Sequence, residues 1–238
     1  MRYSFDSRIR YSEVGVDNKL TVLSLLDYFQ DASLFNSEAV GRDFRTISKI
    51  NRAWFLSSWQ IVVDRYPGFG EKVTISTWPY AFRNVFGDRN FLMTDAQGNR
   101  VAYANSVWVY TDTATGRAVR VPAEEYEAYQ FSDKLDMEYA PRKIKVSGEG
   151  REEKPVVVMK HHLDTNQHVN NGQYVLIASE YLPDDFEIAE LRVEYKKAAV
   201  LDDQMIPVVH EKEGAYTIVL NAEDGHLYAA VEFIGRKK

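Results

Sequence analysis

The chain has no cysteine among its 238 residues. Disulfides, thiolate metal sites and a cysteine nucleophile are therefore excluded. No apolar run approaches the roughly 18 residues of a membrane-spanning helix, and residues 1–6 lack the apolar core of a signal peptide. We therefore expect a cytoplasmic protein without a membrane span.

An excess of basic residues is also missing. Lysine and arginine number 29 against 35 aspartates and glutamates, which gives a net charge of -6. General nucleic-acid binding requires a basic excess, so we predict no nucleic-acid partner. The 45% hydrophobic and 27% charged residues are typical of a globular protein.

Several common catalytic motifs are absent. The chain has no G-x-S-x-G turn, no glycine-rich phosphate loop and no H-E-x-x-H helix. His161, His162, Asp164 and His168 lie close in sequence, but neighbouring residues of an extended chain point to opposite faces. The three-ligand spacing of a zinc site is missing as well. We predict no metal and no cofactor, with His161 and His162 flanking a site without acting.

The first half of the chain predicts one helix followed by a sheet. Thr21 is a plausible cap, apolar residues from Val22 to Ser33 follow a helical repeat, and Gly41 is a plausible stop. Strand patterns then cover 53–63, 72–80, 85–94 and 101–111. Turns of hairpin length between these strands predict an antiparallel sheet, and a helix packed on it gives a two-layer domain.

The second half repeats this order. A strand at 156–159, an arm at 164–171 and a helix at 174–182 precede strands at 189–195, 204–210, 215–220 and 227–233. A repeat of about 150 residues indicates a duplicated domain rather than a solenoid. The polar, charged stretch between the halves predicts a solvated linker. We therefore expect an N-terminal domain at 1–125, a linker at 126–155 and a C-terminal domain at 156–238.

The segment 163–171 reads L-D-T-N-Q-H-V-N-N and carries the chemistry. In an extended arm, Asp164, Asn166 and His168 point to one side. The helix that begins near 170–171 would offer unpaired N–H groups to a negative charge at this point. The arrangement predicts a reaction site.

Acid, amide and imidazole groups together suit hydrolysis of an activated acyl compound. Asp164 can act as base or nucleophile, His168 can position water or transfer a proton, and Asn166 can hold either partner. The alternative is structural, because an aspartate before a helix is commonly a cap. Asn170 and Asn171 are ordinary capping residues, which is their first interpretation.

The two copies can be aligned through their turns. The register that lays 16–17 over 163–164 places Lys19 opposite Asn166 and Thr21 opposite His168. Only the second copy then has the full polar triplet. We expect the first copy to provide scaffold and substrate pocket.

The segment 163–171, with its following apolar helix, resembles the active-site segment of the acyl-ACP thioesterases, in which L-D-x-N-x-H-V-N-N is characteristic. Further similarity to the first domain of that family lies in Asp64-Arg65-Tyr66-Pro67 with Gly70, 73–79 (V-T-I-S-T-W-P), Arg89 with Asp95 and Gly98, 106–109 (S-V-W-V) and 120–122 (R-V-P). The resemblance covers nearly the whole chain.

This resemblance implies an α+β fold of tandem hot-dog domains, each a long helix packed on an antiparallel sheet. It implies release of a free fatty acid from acyl carrier protein (ACP), the partner that holds the acyl chain on 4'-phosphopantetheine. The catalytic residues it implies are Asp164, Asn166 and His168. Whether the protein is a monomer or a homodimer stays open.

One departure from the family concerns the next strand. Plant members carry a segment like L-E-Y-R-R-E-C, whereas residues 193–199 here read V-E-Y-K-K-A-A. Ala198 and Ala199 replace the glutamate proposed to activate water and the cysteine once assigned as nucleophile. A mechanism that needs either group cannot operate here. We predict that Glu194 is a structural residue that faces solvent.

Three other functions stay open. A hot-dog enoyl-thioester hydratase uses a segment like D-x-N-P-x-H, whose spacing is one residue longer and includes proline. An acyl-CoA thioesterase and a non-catalytic acyl-binding regulator are the others. Because ACP is acidic, an ACP-dependent enzyme should have a local positive surface. The candidate cations are Arg142, Lys143 and Lys145; Arg192, Lys196 and Lys197; and Arg236, Lys237 and Lys238.

Overall fold

The structure is a computed structural model that describes residues 2–146 and 148–236. It contains two compact units, Met1–Ser57 with Ile61–Tyr139, and Ser58–Gln60 with Ala140–Lys238. Lys237 and Lys238, two candidate cations of the positive surface, lie outside the described residues. No helix in the described part of the chain is long and apolar enough to cross a membrane.

The first unit is built around one long helix, α1 (Val22–Ala39). The Thr21 side chain caps it by accepting the Ser24 N–H at 3.1 Å, and Gly41 follows with a φ of 68°. The predicted helix and both of its ends are confirmed. Two shorter helices, α2 (Phe44–Ser48) and α3 (Ala123–Ala128), were not predicted, because neither is long enough to establish a helical repeat.

The sheet of the first unit confirms the four predicted strands but not all of their connections. Its strands are β1 (Tyr3–Arg8), β2 (Arg52–Val63), β3 (Lys72–Arg83), β4 (Phe86–Asp95), β5 (Arg100–Asp112) and β6 (Arg117–Ala118). Their order is β1-β3-β4-β5-β2, with β6 beside β5. The expected hairpin between β2 and β3 is wrong, because β1 pairs with β3 and β2 lies at the other side, next to β5.

The core of this unit lies between α1 and the sheet. Leu26 and Phe29 on the helix, and Ile75 and Phe91 on the strands, are 0% exposed. The rings of Phe29 and Phe91 are 5.3 Å apart. Burial of such side chains contributes about 1.5–3 kcal/mol each, so this face holds the helix on the sheet.

The second unit has a shorter helix, α4 (Asn171–Ser179). Its strands are β7 (Arg151–Glu152), β8 (Val156–Val157), β9 (Ile188–Tyr195), β10 (Gln204–Lys212), β11 (Ala215–Asn221) and β12 (Leu227–Gly235). Their order is β9-β12-β11-β10-β7, with β8 beside β10. The four predicted strands are confirmed, and the helix begins as predicted but ends before 182. Each unit therefore has the predicted α+β class, a helix on an antiparallel sheet.

The polar stretch between the two halves is not simply solvated. Within the first unit, the buried Asn90 accepts the N–H of Leu135 and the hydroxyl of Tyr139, both at 3.0 Å. Trp78 Nε1 donates to the carbonyl of Asp133 at 2.8 Å. Residues 133–139 are thus fixed on β3 and β4. The predicted domain bounds at 125 and 155 stay a prediction.

Candidate active site

Residues 163–169 form a compact turn, so the predicted extended arm is wrong. The Asp164 N–H donates to the His168 carbonyl at 2.8 Å, and the Gln167 N–H donates to the Asp164 carbonyl at 3.0 Å. Leu163 and Val169 form a β-bridge at the base of the turn. The chain reverses because Gln167 has a φ of 61°, a conformation that non-glycine residues rarely adopt.

Asp164 fixes this turn with one carboxylate oxygen. Its Oδ1 accepts the backbone N–H of Asn166 at 2.7 Å and that of His168 at 3.3 Å. Its Oδ2 makes no hydrogen bond within residues 2–146 and 148–236. The residue is therefore a structural cap that still has one oxygen available for a ligand.

The side chains of Asn166 and His168 belong to the same turn but are not bonded to Asp164. Asn166 is exposed and His168 is half-buried. Neither side chain makes a hydrogen bond or ion pair to any other described residue. The turn therefore groups carboxylate, amide and imidazole without forming a preassembled hydrogen-bonded triad.

The start of α4 offers fewer N–H groups than the sequence suggested. Asn170 caps the helix by accepting the Gly172 N–H at 2.9 Å, which confirms its interpretation as a cap. The N–H of Val169 donates to Ala199, that of Asn170 to His162, and that of Gln173 to Asn170. Because these N–H groups are occupied, a developing negative charge would need side-chain donors such as the Asn166 amide.

His162 serves the backbone beside the turn. Its Nδ1 accepts the Met159 N–H at 3.0 Å, and the side chain is buried. Burial first, and the neighbouring His161 second, lower the pKa of His162. The neutral ring therefore carries its proton on Nε2. In the described part of the chain, no three His, Asp or Glu side chains are grouped as metal ligands.

Ala199 lies directly against the turn. Its carbonyl accepts the Val169 N–H at 2.9 Å, and its own N–H donates to the Tyr174 hydroxyl at 2.9 Å. Burial, chiefly, raises the pKa of Tyr174 to about 12, so this hydroxyl stays protonated at neutral pH. Ala198 is exposed. Because Ala198 and Ala199 have only methyl side chains, the site has neither a second carboxylate nor a thiol at these positions.

Glu194 does not face solvent, so that prediction is wrong. It is 2% exposed, and its Oε2 accepts the Ile144 N–H at 2.9 Å. Its Oε1 lies 2.6 Å from the ammonium of Lys196. The alternation along β9 correctly places Glu194 on the same face as Arg192, but residues 141–144 cover that face. These contacts support the structural role that was predicted for Glu194.

The first unit contains a matching turn whose register differs from the predicted one. The Gly15 N–H donates to the Lys19 carbonyl at 2.9 Å, and the Asn18 N–H donates to the Gly15 carbonyl at 3.0 Å. Asn18 has a φ of 60°, and Thr21 caps α1 as Asn170 caps α4. The counterparts of Asp164, Asn166 and His168 are therefore Gly15, Asp17 and Lys19. The predicted register was wrong by two positions.

Comparisons with known proteins support the same two-part organisation. Residues 2–129 match the family model of the acyl-ACP thioesterase N-terminal domain, and residues 146–233 match that of the acyl-ACP thioesterase C-terminal domain. A palmitoyl-acyl carrier protein thioesterase of Gossypium hirsutum is 29% identical over 82% of this chain and 51% of its own length. The chain spans about half the length of the curated relatives that it matches.

Solved structures share the fold along the whole chain. An acyl-ACP thioesterase from Bacteroides thetaiotaomicron superposes with a TM-score of 0.91 at 21% identity, over 99% of this chain and 98% of that one. The 12:0-ACP thioesterase from Umbellularia californica gives 0.87 at 24% identity, over 100% and 98%. These matches confirm the tandem hot-dog fold. With both family models matched in order, the chain belongs to the acyl-ACP thioesterase family.

Proposed function

We propose that this protein hydrolyses fatty acyl-ACP to a free fatty acid and holo-ACP, with Asp164, Asn166 and His168 as its catalytic residues. The observation that carries the proposal is the position of Asp164. Its Oδ1 is fixed by two backbone N–H groups, whereas its Oδ2 makes no bond to the described protein. A carboxylate held in this way has a fixed orientation, and its second oxygen stays available for reaction.

In the first form of the mechanism, Asp164 acts as a general base. Its Oδ2 takes a proton from water while the water oxygen attacks the thioester carbonyl carbon. The tetrahedral intermediate then collapses, the C–S bond breaks, and the leaving sulfur takes up a proton to become the thiol of holo-ACP. Base catalysis of this kind contributes about 10²–10⁴ in rate.

In the second form, Oδ2 of Asp164 attacks the carbonyl carbon directly. The C–S bond breaks with formation of an acyl-aspartyl anhydride, and water then hydrolyses that anhydride to the fatty acid and the carboxylate. Hydroxylamine converts both a thioester and an anhydride to a hydroxamate, so the rate without enzyme is subtracted and thiol release is followed in a single turnover. Hydroxamate that replaces fatty acid while the rate of thiol release stays constant supports the nucleophile; a rate of thiol release that rises with hydroxylamine supports the base.

Asn166 and His168 act on the charges that form around the carbonyl. The exposed Asn166 amide is a donor without a protein partner in the described chain, which suits it to the carbonyl oxygen as that oxygen becomes negative. The imidazole of His168 suits proton delivery to the leaving sulfur or orientation of the water. In this proposal the first unit provides scaffold and substrate pocket, and the second unit carries the catalytic turn. A cytoplasmic location stays a prediction of the sequence.

A thiol-release panel tests the proposal against the three other functions. Purified protein is incubated with saturated acyl-ACP, saturated acyl-CoA and an enoyl thioester, while free thiol and the absorbance of the conjugated double bond are followed. We expect thiol release from acyl-ACP with higher kcat/KM than from acyl-CoA. Loss of conjugation without thiol identifies a hydratase, preference for acyl-CoA identifies an acyl-CoA thioesterase, and binding without either reaction identifies a regulator.

A further inference from the structure

We infer that ACP docks on one face of the second unit, formed by apolar residues beside the catalytic turn and a rim of three lysines. We call it the docking face. The apolar members are Val157, Met159, Val200 and Leu201, and the rim consists of Lys160, Lys196 and Lys197. The inference rests on the proposed function, because it names the place where the carrier of that substrate binds.

The apolar residues of the docking face lie on two neighbouring segments. The Val158 N–H donates to the Asp203 carbonyl at 2.8 Å, and the Asp202 N–H donates to the Val158 carbonyl at 3.0 Å. These bonds hold 157–159 alongside 200–203. Val157, Met159, Val200 and Leu201 nevertheless remain 44%, 52%, 42% and 39% exposed. A group of exposed apolar side chains with a polar rim marks an interaction site.

This face is joined directly to the candidate catalytic turn. The Leu163 N–H donates to the carbonyl of Lys160 at 3.3 Å, and the Val169 N–H donates to the carbonyl of Ala199 at 2.9 Å. The turn therefore lies between the segment that carries Lys160 and the segment that carries Lys197. A carrier bound here would present its prosthetic group next to Asp164.

The charges of the rim complement an acidic protein. Lys160 and Lys197 are exposed and form no salt bridge with any described residue, whereas Lys196 is held by Glu194. Two carboxylates lie nearby. The pKa of Asp224 is lowered chiefly by the hydrogen bond from the His226 N–H and in part by the charge of Lys197, and Asp202 is exposed in the β9–β10 connection. Positive groups at a rim mainly accelerate association with a negative partner.

The rim lysines can be compared with the corresponding residues of the first unit, which lacks the full triplet. Tyr11 begins the 3-10 turn that corresponds to the one begun by Lys160. Pro67 accepts the Leu20 N–H as Ala199 accepts that of Val169. By this register, residues 64–65 (Asp-Arg) correspond to Lys196 and Lys197. Lys160 and Lys196 therefore replace a tyrosine and an aspartate, whereas Lys197 corresponds to a cation, Arg65, which is paired with Glu71 and Asp95 in the first unit. Among the described residues, a cation without a salt bridge at these positions is found only in the unit with the full triplet.

Charge reversal tests the docking face through two substrates. In the Lys160→Glu/Lys197→Glu variant, we expect KM for acyl-ACP to rise about tenfold at low salt, and less at high salt, because exposed pairs are screened. We expect kcat to stay unchanged and KM for acyl-CoA, whose phosphates carry fewer negative charges than an acidic protein, to rise by less. The matched control is Lys143→Glu/Lys145→Glu, which reverses two other exposed lysines of the same unit.

Two further variants test the apolar part and the sign of the charge effect. Val200→Ser/Leu201→Ser should raise KM for acyl-ACP, whereas Leu176→Ser, whose side chain is also 39% exposed, should not. Asp202→Asn should lower KM for acyl-ACP. Asparagine suits that position because Asp202 has a φ of 68°.

The outcomes separate this inference from the proposed function. Equal effects on acyl-ACP and acyl-CoA, no effect on either, or the same effect from the Lys143/Lys145 control would overturn the docking face while hydrolysis stands. If the wild-type protein releases thiol from neither substrate, the proposed function fails; fluorescence anisotropy with labelled holo-ACP then decides the docking face alone. Conversion of a wild-type dimer to monomer by the double reversal would identify a dimer interface and overturn the inference.

Discussion

Gly15 occupies, in the turn of the first unit, the position that Asp164 occupies in the turn of the second. Each donates its N–H to the carbonyl four residues later, Lys19 at 2.9 Å and His168 at 2.8 Å. The backbone of the turn therefore does not require a carboxylate at this position. Asp164 adds hydrogen bonds to a turn that also closes with glycine, so closure of the turn does not account for the negative charge at this position.

The caps that follow these turns provide a matched pair of variants. Asn170 accepts the Gly172 N–H at 2.9 Å, and Thr21 accepts the Ser24 N–H at 3.1 Å. We expect Asn170→Ala and Thr21→Ala each to lower the free energy of unfolding by about 1 kcal/mol. Only Asn170→Ala should lower kcat, because only its helix follows the proposed catalytic turn. Equal loss of kcat in both variants would contradict this assignment.

The left-handed residues of the two turns provide another pair. Gln167 and Asn18 have φ values of 61° and 60°, which a β-branched side chain tolerates poorly. We expect Gln167→Val and Asn18→Val each to destabilise the protein by about 1–2 kcal/mol, as measured by urea unfolding. At a temperature where both variants are folded, thiol release should fall for Gln167→Val alone. Gln167→Gly, which fits the same φ, should retain activity.

His162 predicts a loss of stability in acid. Its pKa is lowered in the folded protein by burial and by His161, so the unfolded chain binds the proton first as pH falls. The contribution of His162 to the free energy of unfolding is complete above its pKa in the unfolded chain, about 6.5, and is lost progressively as pH falls below that value. His162→Asn keeps an acceptor for the Met159 N–H without this titration. Between about pH 7.5 and 5, the variant should lose less unfolding free energy than the wild type.

Asp27 predicts the opposite dependence. Asp27 is exposed as a residue, but partial desolvation of its carboxyl group, then the charges of Asp31 and Glu13, raise its pKa from 3.8 to about 6. The folded protein therefore holds this proton more tightly than the unfolded chain, and stability from this group falls as pH rises through about 6. We expect Asp27→Asn to raise the melting temperature at neutral pH, with the gain disappearing below the unfolded pKa. A gain that is independent of pH would rule out this electrostatic origin.

The sequence allowed most elements of the fold to be predicted, because their patterns are local. Alternation identified β9, and the helical repeat with Thr21 identified α1. The sheet order was less accessible, because pairing of Tyr3 with Thr77 depends on residues distant in the chain. The burial of Glu194 was missed for the same kind of reason, since the segment that covers it carries no pattern of its own.

The residues of the candidate site stay a prediction, and the shape of the turn that carries them was not predicted. The residue types of Asp164, Asn166 and His168 pointed to acyl chemistry, whereas the turn depends on one positive φ at Gln167. Glutamine has no special preference for that conformation, so nothing in the sequence indicated the positive φ at Gln167. The corresponding Asn18 was the available signal, because asparagine is enriched in left-handed positions, and it would have corrected the register between the two turns.

If the charge of Asp164 drives thioester hydrolysis, as we propose, Asp164→Asn should lose activity while the protein stays folded. Asparagine keeps an oxygen that can accept the N–H groups of Asn166 and His168, so the turn should persist while the base or nucleophile is lost. The control is Asp17→Asn, since Asp17 also accepts a backbone N–H, that of Lys19 at 3.1 Å, in the turn of the first unit.

The decisive measurement is single-turnover thiol release from acyl-ACP by the folded Asp164→Asn protein, alongside the wild type and Asp17→Asn. We predict that the rate falls at least about 10²-fold for Asp164→Asn and stays near that of the wild type for Asp17→Asn. A near-normal rate for the folded Asp164→Asn protein would show that the charge of Asp164 does not drive hydrolysis.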